Sequence, residues 1–140
     1  ATNKIEIYQR IAAIRTDEHA DQLEEELIDR FGALTEPVKK IMQVARLKNY
    51  ARKLKIKSII EKPAFVEICF DKAPNIEPEN MLLAKKQFDN LLKFVPKQNT
   101  IQIKITPINK KHIINLCLKV VKVLTGEKLQ KMTLKKEEKK

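Results

Sequence analysis

The stretch TDEHADQLEEELIDRFG, residues 16–32, carries the plainest structural signal in this 140-residue sequence. Its apolar residues recur at helical spacing and form one stripe, made of Ala20, Leu23, Leu27, Ile28 and Phe31. Thr16 offers an N-cap for this helix, and Gly32 offers a C-terminal cap. We therefore predict an amphipathic helix whose whole stripe lies in the core and whose end is capped by Gly32.

The acidic residues of this helix lie mainly away from its apolar stripe. At about 100° per residue, Glu25 and Asp29 face outward and Glu26 lies on the flank. Downstream, nine basic residues stand between Lys39 and Lys62 against the single acid Glu61. The formal net charge of the chain is +11. Such a division of charge has two readings: two helices of opposite charge packed together, or a surface kept for a partner.

The remaining segments predict the fold class. Helical spacing indicates further helices over residues 4–15, 36–54, 78–95 and 109–124. Alternating apolar and polar residues indicate three strands, namely IKSIIE (56–61), AFVEICFD (64–71) and TIQIKIT (100–106). The predicted fold class is α+β, with a helical N-terminal half followed by a small three-stranded sheet covered by two helices.

Motifs for catalysis and for cofactor or metal binding are missing from the sequence. It has two glycines and neither a GxxxxGK[ST] loop nor a GxGxxG turn. His19 and His112 lie far apart, and Cys69 and Cys117 stand in apolar runs without a CxxC spacing. We expect no cofactor, no metal site and two reduced core thiols. A small enzyme with a catalytic group assembled in space is a third possible function, and a pocket with paired ionisable groups would favour it.

No apolar run approaches the roughly 18 residues of a membrane span, and the first residues lack the apolar core of a signal peptide. We therefore expect a cytoplasmic protein without a membrane partner. Hydrophobic residues make up 43% of the sequence, enough for one compact domain with a core. The composition of the lysine-rich end KLQKMTLKKEEKK, residues 128–140, predicts a solvated, weakly folded segment.

Residues 8–56 resemble part of a known protein family. The stretch ELIDRFG, a following turn with a proline, a helix containing ARLK and an exit through KLKI resemble the C-terminal (TRCF) domain of bacterial transcription-repair coupling factor. The sequence departs from that pattern at two positions. His19 stands where an acid would complete a capping box with Thr16, and Thr35 stands where the turn usually begins with proline.

The resemblance implies a function without catalysis in this fragment. Family members are ATP-dependent DNA translocases, helicase-like hydrolases of transcription-coupled nucleotide excision repair, with RNA polymerase, UvrA and double-stranded DNA as partners. Their C-terminal domain docks on the UvrB-like N-terminal module of the same protein and masks the surface for UvrA, an autoinhibited state. We therefore expect residues 1–15 to be a connector helix from the upstream translocase, 16–126 a regulatory domain, monomeric when isolated, and 127–140 a lysine-rich tail.

Two surfaces are candidate binding sites. The interdomain docking site implied by the resemblance consists of Glu25, Glu26 and Asp29, which can equally be ordinary solvated acids of an amphipathic helix. The alternative function is nonspecific nucleic-acid binding through the basic helix 38–57, where Lys and Arg would neutralise phosphates. Its candidate contacts are Arg46, Lys48, Arg52, Lys53 and Lys55. Exposed aromatics and a recognised docking motif do not accompany these bases, which weighs against this alternative.

Overall fold

The structure, a computed structural model, describes the backbone of residues 2–126 and the side chains of residues 4–126. The tail predicted over residues 127–140 lies outside the described residues. The α+β class is confirmed. In chain order the elements are α1 (Thr2–Ala12), α2 (Asp17–Phe31), α3 (Glu36–Leu54), β1 (Ile56–Glu61), β2 (Phe65–Phe70), α4 (Pro78–Phe88), β3 (Leu92–Val95), β4 (Thr100–Lys104) and α5 (Ile113–Leu124). The chain divides into two compact units between Asn49 and Tyr50.

The first unit is helical and has its own apolar core. Its buried members come from α1, the following turn, α2 and α3, and they are Ile11, Ile14, Ala20, Leu23, Leu27 and Met42. The α2 ends are capped as predicted. Thr16 Oγ1 accepts a hydrogen bond from the His19 backbone N–H at 3.0 Å, and Gly32, at φ +82°, donates its N–H to the Ile28 carbonyl. That φ favours glycine over any residue with a Cβ.

The predicted core stripe of α2 is only partly correct. Ala20, Leu23 and Leu27 are buried, but Ile28 is 43% exposed and Phe31 is 51% exposed. Ile28 follows Leu27 by about 100° around the helix, so it lies at the edge of the buried face. The buried residues of α2 are Ala20, Leu23 and Leu27, and placing Ile28 and Phe31 in the core was wrong.

The second unit is built on a four-stranded antiparallel sheet with the order β1-β2-β4-β3. One face carries the buried apolar residues, and the register aligns them across strands: Ile68 stands opposite Ile101, and Ile103 lies between Val66 and Leu92. The helices α4 and α5 contact each other. Most residues of α5 are buried, among them Cys117, Val120, Val121 and Leu124.

The predicted three strands are therefore corrected to four, because the helix expected over residues 78–95 ends at Phe88. Asp89 takes a positive φ of 44°, which stops the helix, and the chain then forms β3. Leu92 and Phe94 alternate with the exposed Lys93, a pattern that fits a period of two as well as a helical one. The pairing of this segment with β4 makes it a strand and not a helix. The last helix also starts later than predicted, at Ile113, after a 3₁₀ turn over Lys110–His112.

Candidate docking surface and its ion pairs

Carboxylates of α2 take part in two clusters of arginine–carboxylate ion pairs. The first cluster is centred on Arg46 of α3. Arg46 is only 9% exposed. Its guanidinium lies 2.8 Å from Asp21 Oδ1, 3.4 Å from Glu24 Oε1 and 3.6 Å from Asp17 Oδ1. Burial acts to lower the pKa of Arg46, but the hydrogen bond to Asp21 and the three negative charges raise it overall. This cluster joins α2 to α3 within the first unit.

The second cluster is centred on Glu26 and faces α1. Arg10 of α1 donates from both of its terminal nitrogens to the two carboxylate oxygens of Glu26, in the paired geometry that gives the strongest charge-assisted hydrogen bonds. Arg30, one turn further along α2, lies 3.6 Å from the same carboxylate. The hydrogen bond from Arg10, with the charges of Arg10 and Arg30, lowers the pKa of Glu26 to about 2. Both partners remain partly exposed, at 44% for Arg10 and 40% for Glu26.

The predicted docking residues therefore differ from one another. Glu25 and Asp29 are exposed, and among residues 4–126 neither forms an ion pair. Ile28 stands beside them with 43% of its surface exposed. Glu26, in contrast, is already bound to Arg10. We call Glu25, Ile28 and Asp29 the open surface of α2.

The five predicted nucleic-acid contacts also fall into different environments. Arg46 is held by carboxylates, as described above. Lys48, Arg52, Lys53 and Lys55 are exposed. In the second unit, the Lys53 ammonium lies 5.0 Å from the centre of the Tyr50 ring. Whether any of these residues contacts nucleic acid stays a prediction.

The described part of the chain shows little else that points to chemistry. Across residues 4–126, the acidic, His and Cys side chains form no group of three or more that could hold a metal ion. Cys117 is buried, and burial raises the pKa of its thiol to about 12, while Cys69 is half-buried. Over residues 2–126, none of the helices combines the length and apolar character needed to cross a membrane.

Sequence patterns did not point to Arg10 as a partner of Glu26. The two residues are separated by 16 positions, and periodicity reports only which face of a helix a residue occupies. The same limit applies to Arg46, which is 22 positions from Glu24. A signal for the first cluster was available in the opposite charges of α2 and α3, although it named no pairs.

The family of the chain follows from comparison with known proteins. The family model described as TRCF domain matches residues 1–81, more than half of the chain and the whole of α2. This chain belongs to the TRCF domain family. The transcription-repair-coupling factor of Borreliella burgdorferi is 30% identical over 123 residues, which cover 87% of this chain and 11% of the relative. The Escherichia coli K12 protein of the same name is 38% identical over 56 residues, covering 40% of this chain and 5% of the relative.

The chain thus spans about a tenth or less of the length of these relatives. Among solved structures, the crystal structure of the C-terminal domain of transcription-repair coupling factor resembles it with a TM-score of 0.66 and 20% sequence identity. That match covers 91% of this chain and 84% of the other. At this identity the likeness concerns the fold alone. The chain is therefore a TRCF family member with the fold of that C-terminal domain, as predicted.

Proposed function

We propose that this chain is the non-catalytic regulatory end of an ATP-dependent DNA translocase of transcription-coupled repair. It docks through the open surface of α2 on the UvrB-like N-terminal module of the same protein and covers the surface that UvrA uses. The observation that carries this proposal is that Glu25 and Asp29 are exposed, and have no ion-pair partner among residues 4–126, on a helix inside the family match. In this proposal, the translocase activity and the binding of RNA polymerase and DNA are functions of the parent protein.

The chemistry of the open surface favours a basic partner. Two carboxylates one helical turn apart can each accept hydrogen bonds from an arginine, which gives orientation as well as affinity. Ile28 lies between them and adds apolar area that a partner can bury. The partner therefore needs arginines around a shallow apolar patch.

A regulatory contact must also open again. A two-state equilibrium shifts only by the difference in binding free energy between its states, so a contact of a few kcal/mol suits a switch. A surface of two exposed acids and one apolar side chain is small enough to provide such a contact. A large apolar interface would hold the two modules together permanently.

The proposal is tested by titrating the 140-residue chain with the UvrB-like module at physiological salt. The double variant Glu25→Lys/Asp29→Lys should weaken docking by about tenfold or more, because it places like charges against basic side chains. The matched control Glu77→Lys/Glu79→Lys makes the same change in net charge at two exposed acids of the second unit. It should dock like the unmodified chain, and circular dichroism checks that all variants fold.

Equal binding of the α2 variant and the unmodified chain to the UvrB-like module would exclude this surface as the docking site.

The same titration should include duplex DNA, because residues 50–126 carry 15 basic residues against six acidic ones, whereas residues 1–49 carry eight against nine. That imbalance favours nucleic-acid binding as the second candidate function. DNA binding that persists at physiological salt, without docking, would support it, since binding by lysine charge alone falls steeply with salt.

A further inference from the structure

The paired contact between Arg10 and Glu26 bears on how α2 can dock. Both carboxylate oxygens of Glu26 accept from the two terminal nitrogens of one guanidinium. A second arginine cannot approach the same two oxygens in this geometry while Arg10 remains there. Glu26 is nevertheless next to Glu25 and three residues before Asp29, so a partner that covers the open surface also reaches it. Arg10 and the partner therefore compete for one carboxylate.

We propose that docking exchanges Arg10 for an arginine of the partner at Glu26. This inference rests on the proposed docking function. Arg10 shows what the partner must present, namely a planar guanidinium directed at the carboxylate of Glu26. A lysine ammonium is a poor substitute, because it is a point charge and cannot bind both oxygens in the same paired manner.

The surrounding structure allows Arg10 to leave without disrupting the unit. The helix α1 is held by apolar contacts, since Ile11 is buried and Ile7 and Tyr8 pack against the same core. Arg10 is 44% exposed, so a released guanidinium returns to water at little cost. Arg30 stays within 3.6 Å of Glu26 and keeps a positive charge beside it. The contact with Arg10 is thus replaceable, and docking affinity depends on where α1 lies.

The exchange makes an unusual prediction for binding. Removing Arg10 should strengthen docking, whereas loss of a residue that merely supports the fold would weaken it. In the titration with the UvrB-like module, Arg10→Ala should lower the dissociation constant by about two- to fivefold, the weight of one exposed ion pair. Arg10→Lys, which cannot form the paired contact, should lower it less.

The matched control is Arg15→Ala. Arg15 is an exposed arginine just after α1, and its guanidinium donates to the Ala12 and Ile14 carbonyls rather than to a carboxylate. Its loss changes the net charge by the same amount and should leave the dissociation constant unchanged. Adding Glu26→Gln to Arg10→Ala should abolish the gain, because the carboxylate for which the two arginines compete is then gone.

Side-chain NMR of Arg10 gives a second readout that does not depend on a variant. In the free chain its guanidinium signals should report a paired arginine, and docking should move them to the values of a solvated one. If docking occurs and fails in Glu25→Lys/Asp29→Lys, but Arg10→Ala binds no more tightly and the Arg10 signals do not move, the exchange is wrong and the docking function stands. If the unmodified chain does not dock, both proposals fail.

Discussion

The two flanks of α2 contain the same chemistry in different surroundings. On one flank Arg46 binds three carboxylates, and its side chain is 10% exposed. On the other flank Arg10 binds one carboxylate, and its side chain is 44% exposed. Hydrogen-bonded arginine and carboxylate groups occur on both sides, so the contact alone does not distinguish them. Burial distinguishes the two flanks, because water can replace the partner of an exposed charge but cannot easily reach a buried one.

This difference also explains the charge division seen in the sequence. Asp17, Asp21 and Glu24 serve the contact between α2 and α3, which is the first of the two readings. Glu25 and Asp29 have no such contact among the described residues, and they remain available for the second reading. One acidic helix therefore contains both a structural set and a candidate binding set of carboxylates.

The largest effect is expected where burial differs most between two neighbouring residues. Leu27→Ala should lower the free energy of unfolding by about 3 kcal/mol, because it removes a buried side chain and leaves a cavity. Ile28→Ala should cost less than about 1 kcal/mol, since Ile28 is already partly exposed. Urea unfolding followed by circular dichroism measures both values. Comparable losses would mean that Ile28 is buried after all, and would remove it from the open surface.

A smaller effect is expected from the two arginines. Arg46→Met keeps much of the side-chain volume but leaves three carboxylates without their shared cation, and it should cost about 2 kcal/mol of unfolding free energy. The corresponding variant Arg10→Met should shift the unfolding midpoint much less. Similar shifts for the two variants would contradict the division of α2 into a structural and a replaceable flank.

The third prediction concerns the proton equilibrium of Glu26. Its pKa of about 2 lies below the ordinary value of 4.5 because of Arg10, so the pair stabilises the folded state above pH 4.5 and this stabilisation is lost as the pH falls towards 2. In Arg10→Ala the pKa should rise towards the ordinary value, while Arg30 keeps it from rising fully. NMR titration of the Glu26 carboxyl carbon follows this change. A pKa that stays near 2 in the variant would assign the shift to Arg30.

Much of the fold followed from local patterns. The helix α2 was expected between Thr16 and Gly32, and it runs from Asp17 to Phe31, because a long periodic stripe with a cap at each end has few alternatives. The strand β3 was missed because four residues are too few to separate a period of two from a helical one. Its pairing with β4, which joins residues from Val95↔Thr100 to Leu92↔Ile103, made the choice.

The features of the candidate site also divide into those set by the local sequence and those set by tertiary packing. The sequence alone determined that α2 is amphipathic, that Glu25 and Asp29 lie on its outer side and that the chain resembles the TRCF domain, because helical geometry and motif order are local properties. Only the tertiary structure decided that Arg46 is buried among acids, that Ile28 reaches the surface and that Arg10 holds Glu26. The two arginine contacts join side chains that are 16 or more positions apart, and only packing brings such residues together. The exposure of Ile28 likewise depends on what packs against α2.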